Sequence, residues 1–499
     1  MSGGAKLTRR QFFGRGAAAA LGLSAAGCDA TDPFALEKPP VPGAERWRRF
    51  EEKSVATACA QCWAGCGIRV RVVEGRAVKI AGDPESPINR GGIGPRGLSG
   101  LQALYDPDRI RQPLRRKGPR GSGQWEPISW ADALEELGGR LRKLRERGAP
   151  ERLGILCDRE RGLMRDLWER FARSYGTPNF FDGSSRGGVA TAQARYLMQG
   201  TREIPAYDWT STRYVLSLGA GLLEASCQAI YFARATAYLK RGRSEKHFGN
   251  HQTRSHLGRG KIVQVEPSYS RTASSADEWI SIAPGSYGAF ALGLAHVLVR
   301  DGLYDRDFVE QHCFGFETWT EDGGRTHRGF RDVLLSEHTP ERVAGICQVD
   351  ADTLERIAHE LAEQRPAFAI TDDRATAAAN GLQTAMAVQA LNALLGSLER
   401  PGGVLSQRAV PLAAWPAAPP DELAEAGLRM PRLDFVGAGR YPLATSVAEE
   451  LPRALVSGRP YRLDTLLLYY ANPCYAWMNP ERWTRALEAV PFVATFTPF

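Results

Sequence analysis

Apolar residues recur along this chain in two alternating rhythms. From Ser129 the rhythm is helical: Ser129 and Asp132 stand at a capping-box spacing, and Leu134, Leu137, Leu141 and Leu144 then mark one face. A short apolar run at 153–157 reads as a strand, and the stretch from Gly162 to Tyr175 reads as a helix closed by Gly176. The alternation continues, with strands predicted at 214–218, 261–265, 367–371, 465–470 and 492–497. Helices are predicted at 224–239, 288–300, 351–363, 381–395 and 480–489. Strands that alternate with helices predict parallel sheets wound on both faces, with ligands at the carboxyl ends of the strands. Upstream, 68–74 and 77–81 alternate with period two around Gly75, which predicts a strand–turn–strand in a small, mostly β unit. Thr31 to Phe50 is Pro-rich and charged, a tether, and Val410 to Leu433 is rich in Ala and Pro and reads as a surface crossing loop. No internal repeat is visible.

Length changes this picture first: 499 residues are too many for one core and predict several domains. Hydrophobic content of 43% and charged content of 24% are ordinary for a globular protein. Thr8-Arg9-Arg10-Gln11-Phe12-Phe13, followed by an apolar run to Gly27, has the layout of an export signal, and its paired arginines resemble a twin-arginine signal. The uncharged run from Gly16 to Gly27 is too short to span a bilayer. Ala25-Ala26-Gly27-Cys28 resembles a lipoprotein cleavage box, with Cys28 lipidated and Asp29 resembling an inner-membrane retention signal. The formal charge of +8 falls to about +4 without Lys6, Arg9, Arg10 and Arg15 of that leader, too little and too scattered for nucleic acid. Nine cysteines, three of them clustered, do not form a disulfide framework.

The three clustered cysteines carry the chemistry. Cys59, Cys62 and Cys66 fall within eight residues, with no histidine nearby. Thiolates that dense on a tight turn can wrap one soft metal centre. Zinc wants a fourth Cys or His at comparable spacing, and the next cysteine is Cys157. A redox dithiol explains Cys59 and Cys62 but leaves Cys66 idle. An iron–sulfur cluster is the better fit.

After these cysteines come Pro87, Asn89, Gly91, Arg96, Gly97, Leu104-Tyr105-Asp106-Pro107-Asp108-Arg109 and Pro113-Leu114-Arg115. In that order the segment resembles the molybdopterin oxidoreductases of the dimethyl-sulfoxide-reductase type, above all the polysulfide and thiosulfate reductase large subunits. The likeness continues through Asp208, Gly219-Ala220, Pro267, Thr272-Ala273, Ala276-Asp277, Pro284-Gly285, Asn380-Gly381, Pro401-Gly402-Gly403 and Asn472-Pro473, covering nearly everything after Ala44.

The resemblance implies a multidomain α/β fold, with a small β-rich iron–sulfur domain followed by two doubly wound α/β domains. Its boundaries would be 1–28 for the signal and lipobox, 29–50 for the tether and 51–115 for the cluster domain. A first α/β domain would follow from 116–205 with 376–499, and a Rossmann-like domain inserted at 206–375. The chain stops at Phe499, so the family's C-terminal β-barrel is expected to be absent. Implied cofactors are a 4Fe-4S or 3Fe-4S cluster and a bis-molybdopterin guanine dinucleotide carrying molybdenum or tungsten. Cys59, Cys62 and Cys66 would hold the cluster. Gly219, Gly221, Glu224, Glu266, Thr272, Asp277, Gly285 and Asn472 would line the dinucleotides. Arg96 would relay electrons between cluster and pterin, its fixed charge raising the electron affinity of both. Implied partners are a ferredoxin-like iron–sulfur subunit, a quinone-reactive membrane subunit and a small-molecule substrate, on the periplasmic side of the inner membrane.

The sequence departs from the family pattern where cofactors would be touched. Gly94 replaces the fourth cluster cysteine, and the metal-ligand position falls near Gly187, with Ser184 and Ser185 as the only oxygens. Gly221 stands for Asn, Glu266-Pro-Ser268 for Asp-Pro-Arg, and Pro284-Gly-Ser-Tyr287 for Pro-Gly-Thr-Asp. Without the resemblance, Gly219-Ala-Gly221 is half of a dinucleotide fingerprint and reads equally as a plain core turn or a nicotinamide site. His247, His251 and His256 read as a solvated loop, and Cys227, Cys313, Cys347 and Cys474 as structural thiols. Two functions follow: an exported oxidoreductase large subunit, or a molybdenum-free scaffold and electron relay in a respiratory complex. A nicotinamide dehydrogenase leaves the cysteines and the export signal unexplained.

Overall fold

Buried parallel strands need apolar side chains on both faces, and the wholly apolar runs of this chain become its two central sheets. In the computed structural model, residues 51–158, 162–183, 188–226, 228–241, 258–407, 412–437, 441 and 443–499 are described. The cysteine region carries a three-stranded sheet of β1 (Glu52–Ala58), β2 (Gly67–Val73) and β3 (Arg76–Gly82), adjacent in chain order. The chain divides into two compact units, 1–53 with 73–76 and 54–72 with 77–499. In the described part of the smaller unit, the Glu51 and Glu74 backbones are tied by an N–H···O bond of 2.9 Å, and Gly75 takes a positive φ of 74° at the predicted turn.

The larger unit holds both doubly wound sheets. One has the order β11-β10-β4-β5, from Phe492–Phe496, Thr465–Tyr469, Leu153–Cys157 and Phe180–Asp182. It draws two strands from before and two from after the second sheet. That second sheet, β8-β7-β6-β9, comprises Glu278–Ile280, Lys261–Val265, Tyr214–Leu218 and Ala367–Thr371. Every pairing in both sheets is parallel. β9 is an edge strand, and the buried Asn392 covers it: its Oδ1 accepts the Ala369 N–H at 2.8 Å and its Nδ2 donates to the Ala369 carbonyl at 2.9 Å. A side-chain amide thus supplies the partner that a further strand would have supplied.

Helices flank both sheets. α1 (Trp130–Glu146) starts where Ser129 accepts the Asp132 N–H, and α2 (Leu163–Tyr175) ends on left-handed Gly176. α3 (Val189–Gln199) was not anticipated from the sequence. α4 spans Ala229–Arg241, so the predicted start at Glu224 is corrected: residues 222–225 form turns. α5 (Tyr287–Arg300) is buried almost all round and packs against α6 (Ala351–Glu363) and α7 (Gly381–Leu394). α8 (Pro480–Glu488) leads into β11. The stretch read as a crossing loop contains the helix Glu422–Leu428. No helix among the described residues is long and apolar enough to cross a membrane, and no β-barrel occurs among them. The leader, Cys28, the tether to Phe50, Ser184, Ser185, Gly187, Cys227 and the three clustered histidines lie outside the described residues.

Candidate functional site

The cysteine loop joins β1 to β2. Cys59 follows the last residue of β1, Cys66 precedes the first of β2, and the Cys59 N–H donates to the Cys66 carbonyl at 2.8 Å to close the loop. Behind it lies Asn89, fully buried. Its Oδ1 accepts the Gly67 N–H at 2.8 Å, and its Nδ2 donates to the carbonyls of Gly67 at 2.9 Å and Gly92 at 2.6 Å. One side chain therefore fixes the start of β2 to the turn that runs towards Gly94. Arg69 holds Asp83 at 2.9 Å, pulling the Asp83 carboxyl below its ordinary pKa through that hydrogen bond.

All three cysteines are free thiols. Burial pushes the Cys66 thiol up, and the neighbouring Cys62 and Cys59 sulfurs raise it further, which places the three sulfurs within electrostatic reach of one another. Among the described residues no three His, Cys, Asp or Glu side chains converge on a single-ion site. Three thiolates on one short loop are nonetheless the donor set that an iron–sulfur cluster takes. The residues therefore fit an iron–sulfur cluster on three thiolates.

The fourth corner is Gly94. Its backbone is ordinary extended chain (φ −77°, ψ 161°), and a side-chain carbon built there would lie 3.6 Å from Ile230 Cδ1, so a side chain has room. Asp83 is held by Arg69, and the Ser99 hydroxyl donates to the Arg96 carbonyl at 3.1 Å. Neither oxygen is poised as a replacement ligand. Arg96 is exposed and directly precedes Gly97, whose missing side chain would come within 3.3 Å of the Cys59 sulfur. A cavity of about 220 Å³ is lined by Cys66 together with Pro87, Ile88, Asn89, Ile230 and Tyr231.

The second place for chemistry is the carboxyl edge of the β8-β7-β6-β9 sheet. Its strand order reverses between β6 and β9, and the crevice at such a point is where open α/β sheets bind ligands. Gly219-Ala-Gly221 leaves β6, Glu266 leaves β7 and Asp372 leaves β9 at this edge. The Gly221 N–H, the amide expected to face a phosphate, donates to Asp372 Oδ2 at 2.7 Å. Asp372 Oδ1 accepts the Arg374 N–H at 2.9 Å. The Arg374 guanidinium reaches Glu224 at 2.6 Å and Glu266 at 3.2 Å. Glu224 also accepts from the Thr272 hydroxyl at 2.7 Å, and Glu266, fully buried, accepts from the Ser270 hydroxyl. Asp373 accepts the Gly188 N–H through both oxygens, at 2.7 and 2.9 Å. Burial pushes the Asp372 carboxyl up to about 6.

Glycine is required at the start of this turn. Gly219 has φ +68°, and a side-chain carbon there would lie 2.7 Å from the Tyr287 ring. Of the expected dinucleotide residues, Gly219, Gly221, Glu224, Glu266 and Thr272 gather here. Gly285 lies past the carboxyl end of β8, with a positive φ of 79° and open space where a side chain would be. Asp277 is a correction. The parallel register sets Val263 beside Glu278, and Asp277 accepts the Ile262 N–H at 2.9 Å and pairs with Lys240 and Arg259. It sits towards the amino end of the sheet, away from the crevice. Asn472 is exposed after β10 and stands just before the helix Pro473–Ala476, its side chain making no capping bond.

Sequence reasoning missed Asp372, Asp373 and Arg374. The signal was available: three consecutive charges directly after the apolar run 367–371, at the end of a strand where ligands sit.

The chain matches the molybdopterin oxidoreductase family model over residues 109–490 and the molybdopterin oxidoreductase Fe4S4 domain model over 52–106. It is 29% identical over 482 residues to the thiosulfate reductase molybdopterin-containing subunit PhsA of Salmonella typhimurium, covering 94% of this chain and 58% of that protein. It is 30% identical over 445 residues to the menaquinone reductase molybdopterin-binding-like subunit of Nitratidesulfovibrio vulgaris, covering 89% and 56%. It is 27% identical over 471 residues to the arsenate respiratory reductase molybdopterin-containing subunit ArrA of a Shewanella species, covering 89% and 53%. The chain thus spans about half the length of the curated relatives it matches. Among solved structures, acetylene hydratase from Pelobacter acetylenicus superposes with a TM-score of 0.71 over 90% of this chain and 61% of that one, at 21% identity, which shows a shared fold. The two matched domains support an iron–sulfur cluster and a molybdopterin cofactor.

Proposed function

The chain belongs to the molybdopterin oxidoreductases, and from that premise we propose that it is the large subunit of an exported respiratory oxidoreductase. It passes electrons between a small inorganic or sulfur-type substrate and a respiratory chain. The observation that carries this reading is the loop of Cys59, Cys62 and Cys66, held from behind by Asn89 with its thiols unbonded to one another. A cluster there supplies one-electron transfer, while the pterin-bound metal supplies two-electron chemistry.

This chain's own residues do the rest. The Cys59–Cys66 backbone bond and Asn89 preorganise the thiols. Arg96, next to the residue that borders Cys59, sets a positive charge near the centre and favours the reduced state of its neighbours. A ferredoxin-like iron–sulfur subunit and a quinone-reactive membrane subunit continue the electron path. The twin-arginine leader delivers the folded, loaded protein to the periplasmic side of the inner membrane, where Cys28 can carry a lipid. Exchanging Arg9 and Arg10 for lysine should hold the precursor in the cytoplasm, and normal export of that form would remove the localisation.

A second reading, a molybdenum-free electron relay or scaffold, is favoured by one observation: the self-paired charges at the crevice of the inserted domain. The deciding experiment counts iron and molybdenum per chain in anaerobically purified protein and records its oxidised paramagnetic spectrum. With three thiolates and Gly94, a three-iron signal is expected, or a labile four-iron centre that converts to it in air. Gly94→Cys should silence that signal, because oxidised four-iron clusters are diamagnetic. Iron without molybdenum would favour the relay. No iron at all would end the electron-transfer reading.

A further inference from the structure

The crevice at the switch point of the inserted domain combines three observations that a ligand site would not combine. The amide that should meet a phosphate already meets a carboxylate, Gly221 N–H to Asp372 Oδ2 at 2.7 Å. The cation that should neutralise a phosphate, Arg374, hydrogen-bonds Glu224 and stands 3.2 Å from Oε2 of the fully buried Glu266, an ion pair without hydrogen-bond geometry. The turn is also closed by packing: a carbon added at Gly221 would lie 2.9 Å from Arg374 Cδ and 2.8 Å from Ala225 Cβ, and one at Gly219 would meet the Tyr287 ring. A diphosphate entering here would have to displace one carboxylate and lie beside two more, and like charges in a half-buried site repel strongly.

We propose that this crevice is ligated from within: Asp372 takes the place of a ligand's phosphate on the Gly221 amide, and Arg374 bridges Glu224 and Glu266 across the space a nucleotide would fill. The inserted domain therefore seats no guanine dinucleotide, and any such group the chain carries is held by other residues. Arg374 is the keystone. Without it, Glu266 keeps a buried charge with only the Ser270 hydroxyl to answer it. Asp373 extends the same device to the other α/β domain by accepting the Gly188 N–H ahead of α3, so the segment 372–374 ties the ends of β6 and β7 to the start of α3. The inference goes beyond the respiratory reading and stands whether or not the chain transfers electrons.

The test is amide hydrogen exchange on the full chain, read at 219–225 and 372–376. Protein is made in two hosts, one able to attach guanosine monophosphate to the pterin and one unable to. Equal protection in these segments is expected from both hosts, with no added protection when millimolar GDP and magnesium are supplied. Arg374→Gln should lose protection there to the same extent in both hosts, because the network and not a ligand holds the edge. Protection that depends on the nucleotide-making host, or that GDP induces, would overturn the proposal. So would an Arg374→Gln protein that stays protected only when the nucleotide is available. Iron content, measured on the same samples, reports on the cluster separately, so failure of one reading leaves the other legible.

Discussion

At the cluster loop a buried amide holds the backbone and three thiols remain for a metal; at the crevice of the inserted domain the charged side chains hold one another. Both are turns at strand ends in one chain, but their polar groups face different tasks. Asn89 satisfies one backbone N–H and two carbonyls around Gly67 and Gly92, so the loop needs no thiol for its own stability. At the crevice, Glu266 is fully buried and Asp372 carries a raised pKa, and each is tolerable only because Arg374 or the Gly221 amide answers it. The loop keeps its thiols unbonded to one another, whereas the crevice sets its amide and its guanidinium against its own carboxylates.

The widest separation of the two regions should come from Cys66→Ser. Iron should fall from ~3–4 atoms per chain to near none, while thermal stability of the α/β sheets stays close to wild type. Retained iron would move the cluster elsewhere.

Next comes Arg374→Gln, which strands the buried Glu266 carboxylate. Discounted for the partial exposure of the arginine, a loss of roughly 2–4 kcal/mol in chemical denaturation is expected, with iron unchanged. Adding Glu266→Gln should recover part of it. An Arg374→Gln protein as stable as wild type would mean the bridge is not the keystone.

Asn89→Ala should cost about 2–3 kcal/mol, because three backbone groups near the cluster lose their partner. Here iron should also become labile, seen as faster loss to a chelator. That coupling of stability to iron is the mark of the loop and should be absent at the crevice.

The remaining effect shows only as a pH dependence, at Asp372. Its folded pKa, about 6, lies above the unfolded value, so the folded state binds the extra proton between roughly pH 4 and 6 and the contribution of Asp372 to stability falls as pH rises through that window. Asp372→Asn mimics the protonated form. The variant should gain on wild type by at most about 3 kcal/mol from pH 4 to pH 7, followed by urea denaturation at each pH. A difference that does not change with pH would place Asp372 in a more solvated setting.

Much of the fold was legible because buried parallel strands are unbroken apolar runs. Four of them, Leu153–Cys157, Tyr214–Leu218, Lys261–Val265 and Ala367–Thr371, stand where the pattern put them. The strands Phe180–Asp182 and Glu278–Ile280 are three residues long and too short to show a period. The helix expected from Glu224 begins at Ala229, because Glu224 serves the crevice instead of a helix face. The cysteines could be read from spacing alone, since metal ligands on one loop are close in sequence. The crevice network could not: Arg374 and Glu224 are 150 residues apart, and only the sheet order brings them together. Asp277 was misplaced for the same reason, since sequence order does not say which end of a strand a neighbour will flank.

The measurement that bears most directly on the contrast between loop and crevice is a joint count of iron and of guanosine monophosphate released by acid from one anaerobically purified sample. Expected are ~3–4 iron atoms and no more than a single nucleotide per chain. Two nucleotides per chain, or nucleotide without iron, would contradict it.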